Sequence, residues 1–251
     1  MELNLKGRIA AVTGAGAGIG EAIAGALASE GCAVWLVDRE RHAAEKAAAS
    51  LPTAERRPRI LIADVTDAAA VSTAFAEIGK IDGRVDILVN AAGLLSTGRF
   101  DELPASEWDR VARVNVGGII NCVKAALNLM AMRGGRVVNI ASVSAMRGGG
   151  SIGNTIYGAS KAGVVALTLG LARELGPRAI TVNAIAPGVA DTAMTRSALT
   201  EDIRQRIVSR TPLGRLAALS DVANLVAFLA SDCASFITGA VIPVDGGILT
   251  T

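Results

Sequence analysis

Seven short runs of β-branched and aliphatic residues recur along the chain: 8–13 (RIAAVT), 33–38 (AVWLVD), 59–63 (RILIA), 86–90 (DILVN), 136–141 (RVVNIA), 179–185 (AITVNAI) and 241–244 (VIPV). Each is of strand length and nearly unbroken in its apolar character, the pattern of strands covered on both faces. Ala-rich stretches between them predict helices near 18–30, 40–50, 68–80, 106–132, 157–175, 201–209 and 220–230. Strand and helix alternating in this way specify βαβ units, hence an α/β fold on a parallel sheet. Ser106 with Asp109, and Ser220 before Asp221, read as helix starts, and Arg133-Gly134-Gly135 as the stop of the long helix. No linker, repeat or low-complexity segment divides residues 1–251, so a single domain is expected.

Composition narrows the chemistry mainly by exclusion. Hydrophobic residues make up 51% of the 251 and charged ones 19%, and a mean hydropathy of +0.44 predicts apolar surface buried between subunits. The net charge of +2 comes from dispersed Lys and Arg, which argues against nucleic acid as a partner. Cys32, Cys122 and Cys233 lie far apart without CxxC spacing and read as small core residues in a reducing compartment. His42 is the only histidine. That removes hydrolases built on a His base and His-rich zinc sites, and no metal is expected. No run approaches eighteen apolar residues and the N-terminus lacks a signal-peptide pattern, so no membrane span and a cytoplasmic location are expected.

Candidate chemistry centres on 139–161 (NIASVSAMRGGGSIGNTIYGASK), which holds Tyr157, the only tyrosine, four residues before Lys161. On a helix this spacing puts both side chains on one face. A phenol has an unperturbed pKa of about 10, and a neighbouring cation lowers it. A drop of two or three units, worth roughly 3–4 kcal/mol, would make it a proton carrier near neutral pH.

A second signal follows the first strand, where Gly14-x3-Gly18-x-Gly20, with Gly16 and Ile19 inside it, opens a helix. Glycines at such a turn let backbone N–H groups and the helix N-terminus approach a pyrophosphate. Asp38 ends the second strand, eighteen residues beyond Gly20. A carboxylate there accepts hydrogen bonds from a ribose and repels a 2′-phosphate, and Ala17 puts no cation in the glycine loop. NAD is therefore favoured over NADP, with the adjacent Arg39 acting against that preference.

TGxxxGIG, Asp38, Asn90-Ala91-Ala92-Gly93, Tyr157-x3-Lys161 and Pro187-Gly188 together resemble the classical short-chain dehydrogenase/reductase family, from about Lys6 to Gly247. The resemblance implies a Rossmann-type, doubly wound, seven-stranded parallel sheet flanked by helices. It implies that Tyr157 is the general acid/base, and that Lys161 lowers its pKa and holds the nicotinamide ribose. Asn115 would support a water relay to that lysine, and a serine at the end of the fifth strand would bind the substrate oxygen. Asp64-Val65 would contact adenine; Asn90, Ala91 and Gly93, with Pro187, Gly188 and Val189, would line the cofactor, and Thr192 would approach its carboxamide. The serine is either Ser142, placed by matching GRVVNIAS to the strand, or Ser144, placed by counting thirteen residues back from Tyr157; Ser142 is preferred. Together with Tyr157, Ser144 and Asn154 are further candidates for substrate contact.

Specificity is expected from 94–100, 145–156 and 189–199, which carry Ser96, Thr97, Arg147, Ser151, Asn154 and Thr155. Their polarity leans toward a polyol, sugar or hydroxy acid. The apolar circumference of the helix from Ala162 to Leu171 agrees with the family's homotetramer. The expectation is a NAD-linked secondary-alcohol dehydrogenase, reversible to carbonyl reduction. Its rivals are a 3-oxoacyl-thioester reductase on a carrier protein or CoA and, from another class, a non-catalytic dinucleotide-binding sensor.

Overall fold

A computed structural model describes residues 2–52, 57–130 and 134–250. Seven strands, β1 (Ile9–Thr13), β2 (Ala33–Asp38), β3 (Arg59–Ile62), β4 (Ile87–Asn90), β5 (Gly135–Ile140), β6 (Ile180–Pro187) and β7 (Val241–Val244), form one parallel sheet in the order β3-β2-β1-β4-β5-β6-β7. All seven predicted strands are present, within two residues at either end.

Residue alternation divides the core between the two faces of the sheet. Ala10 and Val12 of β1 face a cluster with α1 (Gly18–Ser29), α2 (Arg41–Ser50) and α10 (Leu219–Ala230). Ile9 and Ala11 face the opposite cluster with α3 (Ala68–Asp82), α5 (Gly118–Met130) and α7 (Thr155–Leu175). The chain reverses its direction of winding between β1 and β4, which register Thr13 beside Asn90. A crevice opens at such a switch point, outside the carboxyl ends of the strands.

Several local expectations need correction. The long helix predicted over 106–132 is interrupted: α4 (Glu107–Ala112) meets a π-helical turn at Arg113–Gly117 before α5 begins. Residues 131–133, including the predicted stop at Arg133, lie outside the described residues. Ser106 precedes α4 with helical backbone angles and makes no capping bond, while Glu107 N–H is satisfied by the Pro104 carbonyl at 2.9 Å. Ser220 does not begin α10 either; the helix starts at Leu219, and the Asp221 carboxylate accepts from Ala218 N–H at 2.8 Å. Cys32 and Cys122 are buried, their thiols pushed up to about 12 by burial, but Cys233 is exposed.

Two short helices that the sequence pattern does not announce flank the crevice, α6 (Ser144–Arg147) and α8 (Ala193–Arg196); α9 (Glu201–Ser209) follows as predicted. With its trailing turn, α7 is long and apolar enough to cross a membrane by length and composition, Thr155–Arg178. Here it packs along β5 and β6 and buries Ser160, Lys161 and Thr168 on its inner side.

Candidate active site

At the switch point the crevice is a cleft of about 370 Å³. On one side lies the glycine loop. Thr13 Oγ1 accepts from Ala91 and Ala92 N–H, both at 3.2 Å, which ties the end of β1 to the segment after β4. A β-carbon on Gly14 would fall 2.7 Å from Ala92 Cα, and one on Gly20 would fall 2.1 Å from the Gly14 carbonyl oxygen. No side chain therefore fits at either turn. The start of α1, at Ala17, has no side-chain cap, so its first-turn N–H groups point toward the loop without a protein acceptor from a capping residue.

Asp38 faces this loop. One carboxylate oxygen accepts from Gly16 N–H at 2.8 Å and the other from Glu40 N–H at 3.0 Å. Each oxygen retains a second lone pair for a ligand hydroxyl. Arg39 also lines the cleft, with Glu40 beside it at 3.5 Å offsetting its charge. Asp64 accepts from both the amide and hydroxyl of Thr66 at 2.8 Å, and the amide bond leads in holding its carboxyl below the ordinary range. Val65, Ala91, Gly93, Pro187, Gly188, Val189 and Thr192 line the same cleft as Gly14, Gly16, Gly18, Ile19 and Gly20. Across it, Thr192 approaches Gly18, whose added β-carbon would lie 3.5 Å from the threonine methyl.

Asn90 is placed elsewhere. Its side chain is buried in the sheet, donates to Asn139 Oδ1 at 2.8 Å and does not line the cleft. Its contribution is to the β4–β5 pairing beneath the site.

The reactive groups gather at the end of β5. Ser142 lies just past the strand and lines the cleft together with Tyr157. Its hydroxyl also accepts from Ser144 N–H at 3.1 Å, fixing the first turn of α6. Ser144 lines the cleft too; of the two serines, Ser142 is the one whose hydroxyl acts to lower the phenol. Lys161 is 5% exposed and donates from Nζ to the Ile140 carbonyl at 2.8 Å; burial lowers it to about 8. Its ammonium lies 5.9 Å from the Tyr157 ring centroid. The expected lowering of Tyr157 is not found: burial pushes the phenol above its ordinary value, with the Ser142 bond acting against it. The lysine spends its nearest donor on a strand carbonyl rather than on the phenol.

Asn115 is fully buried in the π turn, outside the cleft wall. Its oxygen accepts from Leu94 N–H at 2.7 Å, and its amide donates to the Leu94 carbonyl at 3.0 Å and Ser160 Oγ at 2.9 Å. Both amide hydrogens of the side chain are thus taken by protein acceptors. A β-carbon on Gly93 would sit 3.3 Å from Asn115 Oδ1 and 3.5 Å from Lys161 Nζ, so glycine there keeps the two in one pocket.

Asn154 is likewise not a cleft residue. Its oxygen caps α7 by accepting from Tyr157 N–H at 3.0 Å, while its amide donates to Ser96 Oγ at 2.8 Å. Ser96 in turn donates to Glu107, which Arg110 grips through two bonds at 2.9 and 2.8 Å. The Arg110 fork, then Ser96, holds the buried Glu107 down to about 2. This chain anchors the first turn of the helix that carries Tyr157. Sequence reasoning missed Ser96 and Glu107 as its members; the available signal was Asn154 at capping distance before a helical run.

Serine, tyrosine and lysine therefore meet beside a glycine cradle that admits no β-carbon at Gly14 or Gly20. A family model described as enoyl-(acyl carrier protein) reductase matches residues 14–249. The chain belongs to the short-chain dehydrogenase/reductase family. Members of this family act on CH–OH groups with a nicotinamide dinucleotide, and the chain is such an oxidoreductase. It is 40% identical over 240 residues to meso-2,3-butanediol dehydrogenase of Serratia marcescens, covering 96% of this chain and 94% of that one. It is 39% identical over 247 residues to 3-oxoacyl-[acyl-carrier-protein] reductase of Escherichia coli, covering 98% and 99%. Among solved structures, a gluconate 5-dehydrogenase from Burkholderia cenocepacia, in complex with NADP and tartrate, superposes with a TM-score of 0.92 at 30% identity, covering 100% of this chain and 98% of that one. The expected fold class and family are those observed.

Proposed function

We propose that this short-chain dehydrogenase/reductase oxidises a secondary alcohol to a ketone with NAD, reversibly, using Tyr157 as acid and base. The observation that carries this reading is the convergence of Ser142, Tyr157 and Lys161 on one cleft that the glycine loop also lines. When bound, the dinucleotide supplies the hydride acceptor or donor. The glycine loop fits its pyrophosphate by close backbone approach at Gly14 and Gly20 and by the uncapped first turn of α1. Asp38 offers its free lone pairs to the adenosine ribose hydroxyls, and a 2′-phosphate would meet that carboxylate directly. Asp64 and Val65 flank the adenine end, and Thr192 stands at the other.

In the oxidising direction Ser142 holds the substrate oxygen and Tyr157 takes the hydroxyl proton; in reduction the phenol returns it to the carbonyl oxygen. Lys161 supplies the positive charge near the phenol and passes the proton outward from Nζ to a water that the Asn115 backbone carbonyl would hold as acceptor. No metal takes part in this scheme. Among the described residues no cluster of His, Cys, Asp and Glu is arranged to hold one.

Ser144, Ser151 and Arg147 line the substrate end of the cleft, which supports a polyol, sugar or hydroxy acid as substrate. The substrates named for two relatives, a butanediol and gluconate, support the same class. The relationship to 3-oxoacyl-[acyl-carrier-protein] reductase favours a second reading, reduction of an acyl thioester. The outward side of α7 exposes Ala159, Ala162, Ala166 and Leu169, supporting a homotetramer in which another subunit covers this helix. The test is NADH or NADPH formation over polyols, sugars, hydroxy acids, simple secondary alcohols and 3-hydroxyacyl thioesters. NAD-linked turnover of the first three classes is expected; turnover confined to thioesters with NADP would overturn both the substrate and the cofactor assignments.

A further inference from the structure

A second hollow, of about 600 Å³, opens beside the cleft and shares Arg147, Gly150, Ser151 and Gly153 with it. Gly153 lies on the Tyr157 ring: a β-carbon there would be 2.4 Å from Cδ1. One glycine thus separates the hollow from the phenol. The absence of a side chain at this position keeps the two spaces adjacent.

The walls of the hollow are unevenly charged. They carry Arg99, Arg147, Arg206 and Arg210 and no carboxylate, on a chain whose net charge is only +2. Arg99 is neutralised by Asp101 at 3.0 Å and Glu102 at 3.5 Å. Arg147 and Arg206 are exposed, and among the described residues neither guanidinium has an ion-pair or hydrogen-bond partner. They come from different elements, the end of α6 and the last turn of α9, and converge on one hollow. Two guanidinium groups without protein acceptors, in a concave site, concentrate positive potential. Their planar forks match carboxylate and phosphate oxygens in pairs.

We propose that this hollow is an anion subsite for the substrate. A carboxylate or phosphate is held by Arg147 and Arg206 while the carbinol carbon of the same molecule lies at Tyr157 and Ser142. The inference rests on the alcohol-oxidation reading and narrows it from polyols in general to hydroxy acids and phosphorylated polyols.

The test separates binding from turnover. Protein saturated with NADH or NADPH, whichever it binds, is titrated calorimetrically with inorganic phosphate, with malonate and with neutral malonamide. Saturation removes the glycine loop as a competing phosphate site. Wild-type protein is expected to bind at least one anion and not malonamide, with affinity reduced about tenfold or more in the R147Q/R206Q double variant. The phosphate and malonate arms tell which anion is preferred. Failure of wild type to bind either anion, or equal binding by the variant, overturns the subsite. Reduced-cofactor affinity measured on the same variant shows that its fold is retained, and the single variant R206Q is expected to show the same direction of change. Turnover supplies the second readout: the kcat/KM ratio of 3-hydroxybutyrate to 3-hydroxybutyramide should fall about tenfold in R206Q. An unchanged ratio overturns the proposal. Anion binding that responds to these substitutions in a protein turning over no alcohol would keep the subsite and refute the dehydrogenase reading.

Discussion

Lys161 makes the trade between stability and chemistry measurable. The residue is 5% exposed, and burial lowers its ammonium from 10.5 to about 8. By linkage, that shift corresponds to a cost of roughly 3 kcal/mol to the folded state at neutral pH, where the group is charged in both states. Between pH 8 and 10.5 the unfolded chain holds the proton more tightly than the folded one, so raising the pH through this window relieves the cost. Replacing Lys161 with Met removes the buried charge at similar volume. It also removes the 2.8 Å bond to the Ile140 carbonyl, a loss of about 1–3 kcal/mol. The net expectation at neutral pH is a variant between equal to and about 2 kcal/mol more stable than wild type, and devoid of turnover. The more telling quantity is the pH dependence. Urea denaturation of both proteins, without cofactor and at matched concentration, should show the stability of wild type rising relative to K161M by about 1.4 kcal/mol per pH unit above pH 8. A gap independent of pH, or a variant more than about 3 kcal/mol less stable at neutral pH, would refute the reasoning.

Substituting Asp38 by Asn should lower the kcat/KM preference for NAD over NADP at least tenfold, because the repulsion of a 2′-phosphate is removed; parallel kinetics with the two cofactors read it. Truncating Asn154 to Ala removes the cap of α7 and should cost about 0.5–2 kcal/mol in denaturant titration, with kcat falling more than the KM for cofactor. Glu107→Gln should lower kcat in the same direction by loosening Ser96 and Asn154, while NADH affinity measured by fluorescence stays within about twofold. Gly20→Ala places a methyl 2.1 Å from the Gly14 carbonyl oxygen and should abolish cofactor binding in the same titration.

The parts of this molecule that were legible in sequence share a physical basis. Strands covered on both faces are largely apolar, and β1, β4 and β6 are buried at every residue. The glycine loop was legible because close backbone approach excludes other residues, and Tyr157–Lys161 because a helix brings i and i+4 together. Ser142 was preferred over Ser144 by where its strand ends, not by counting, and the structure brings both serines to the cleft wall.

What escaped depends on contacts between distant segments. Asn154 reads as a polar loop residue until Ser96, 58 positions away, takes its amide. Asn115 reads as a free relay residue until Leu94 and Ser160 take both of its amide hydrogens and Leu94 N–H bonds its oxygen. Ser106 has the composition of a cap but helical backbone angles, so its hydroxyl is not presented to the first turn. The raised phenol of Tyr157 is of the same kind: spacing brought a lysine near, but the sheet decided where its ammonium points.

The central claim is that Tyr157 moves the proton in a hydride-transfer reaction. Its most direct test compares wild type with Tyr157→Phe, which deletes only the phenolic oxygen, in turnover of a responsive secondary alcohol and in NADH binding by fluorescence titration. A loss of kcat of at least about a hundredfold with NADH affinity within about twofold of wild type is predicted. Retained turnover in the phenylalanine variant would contradict the account.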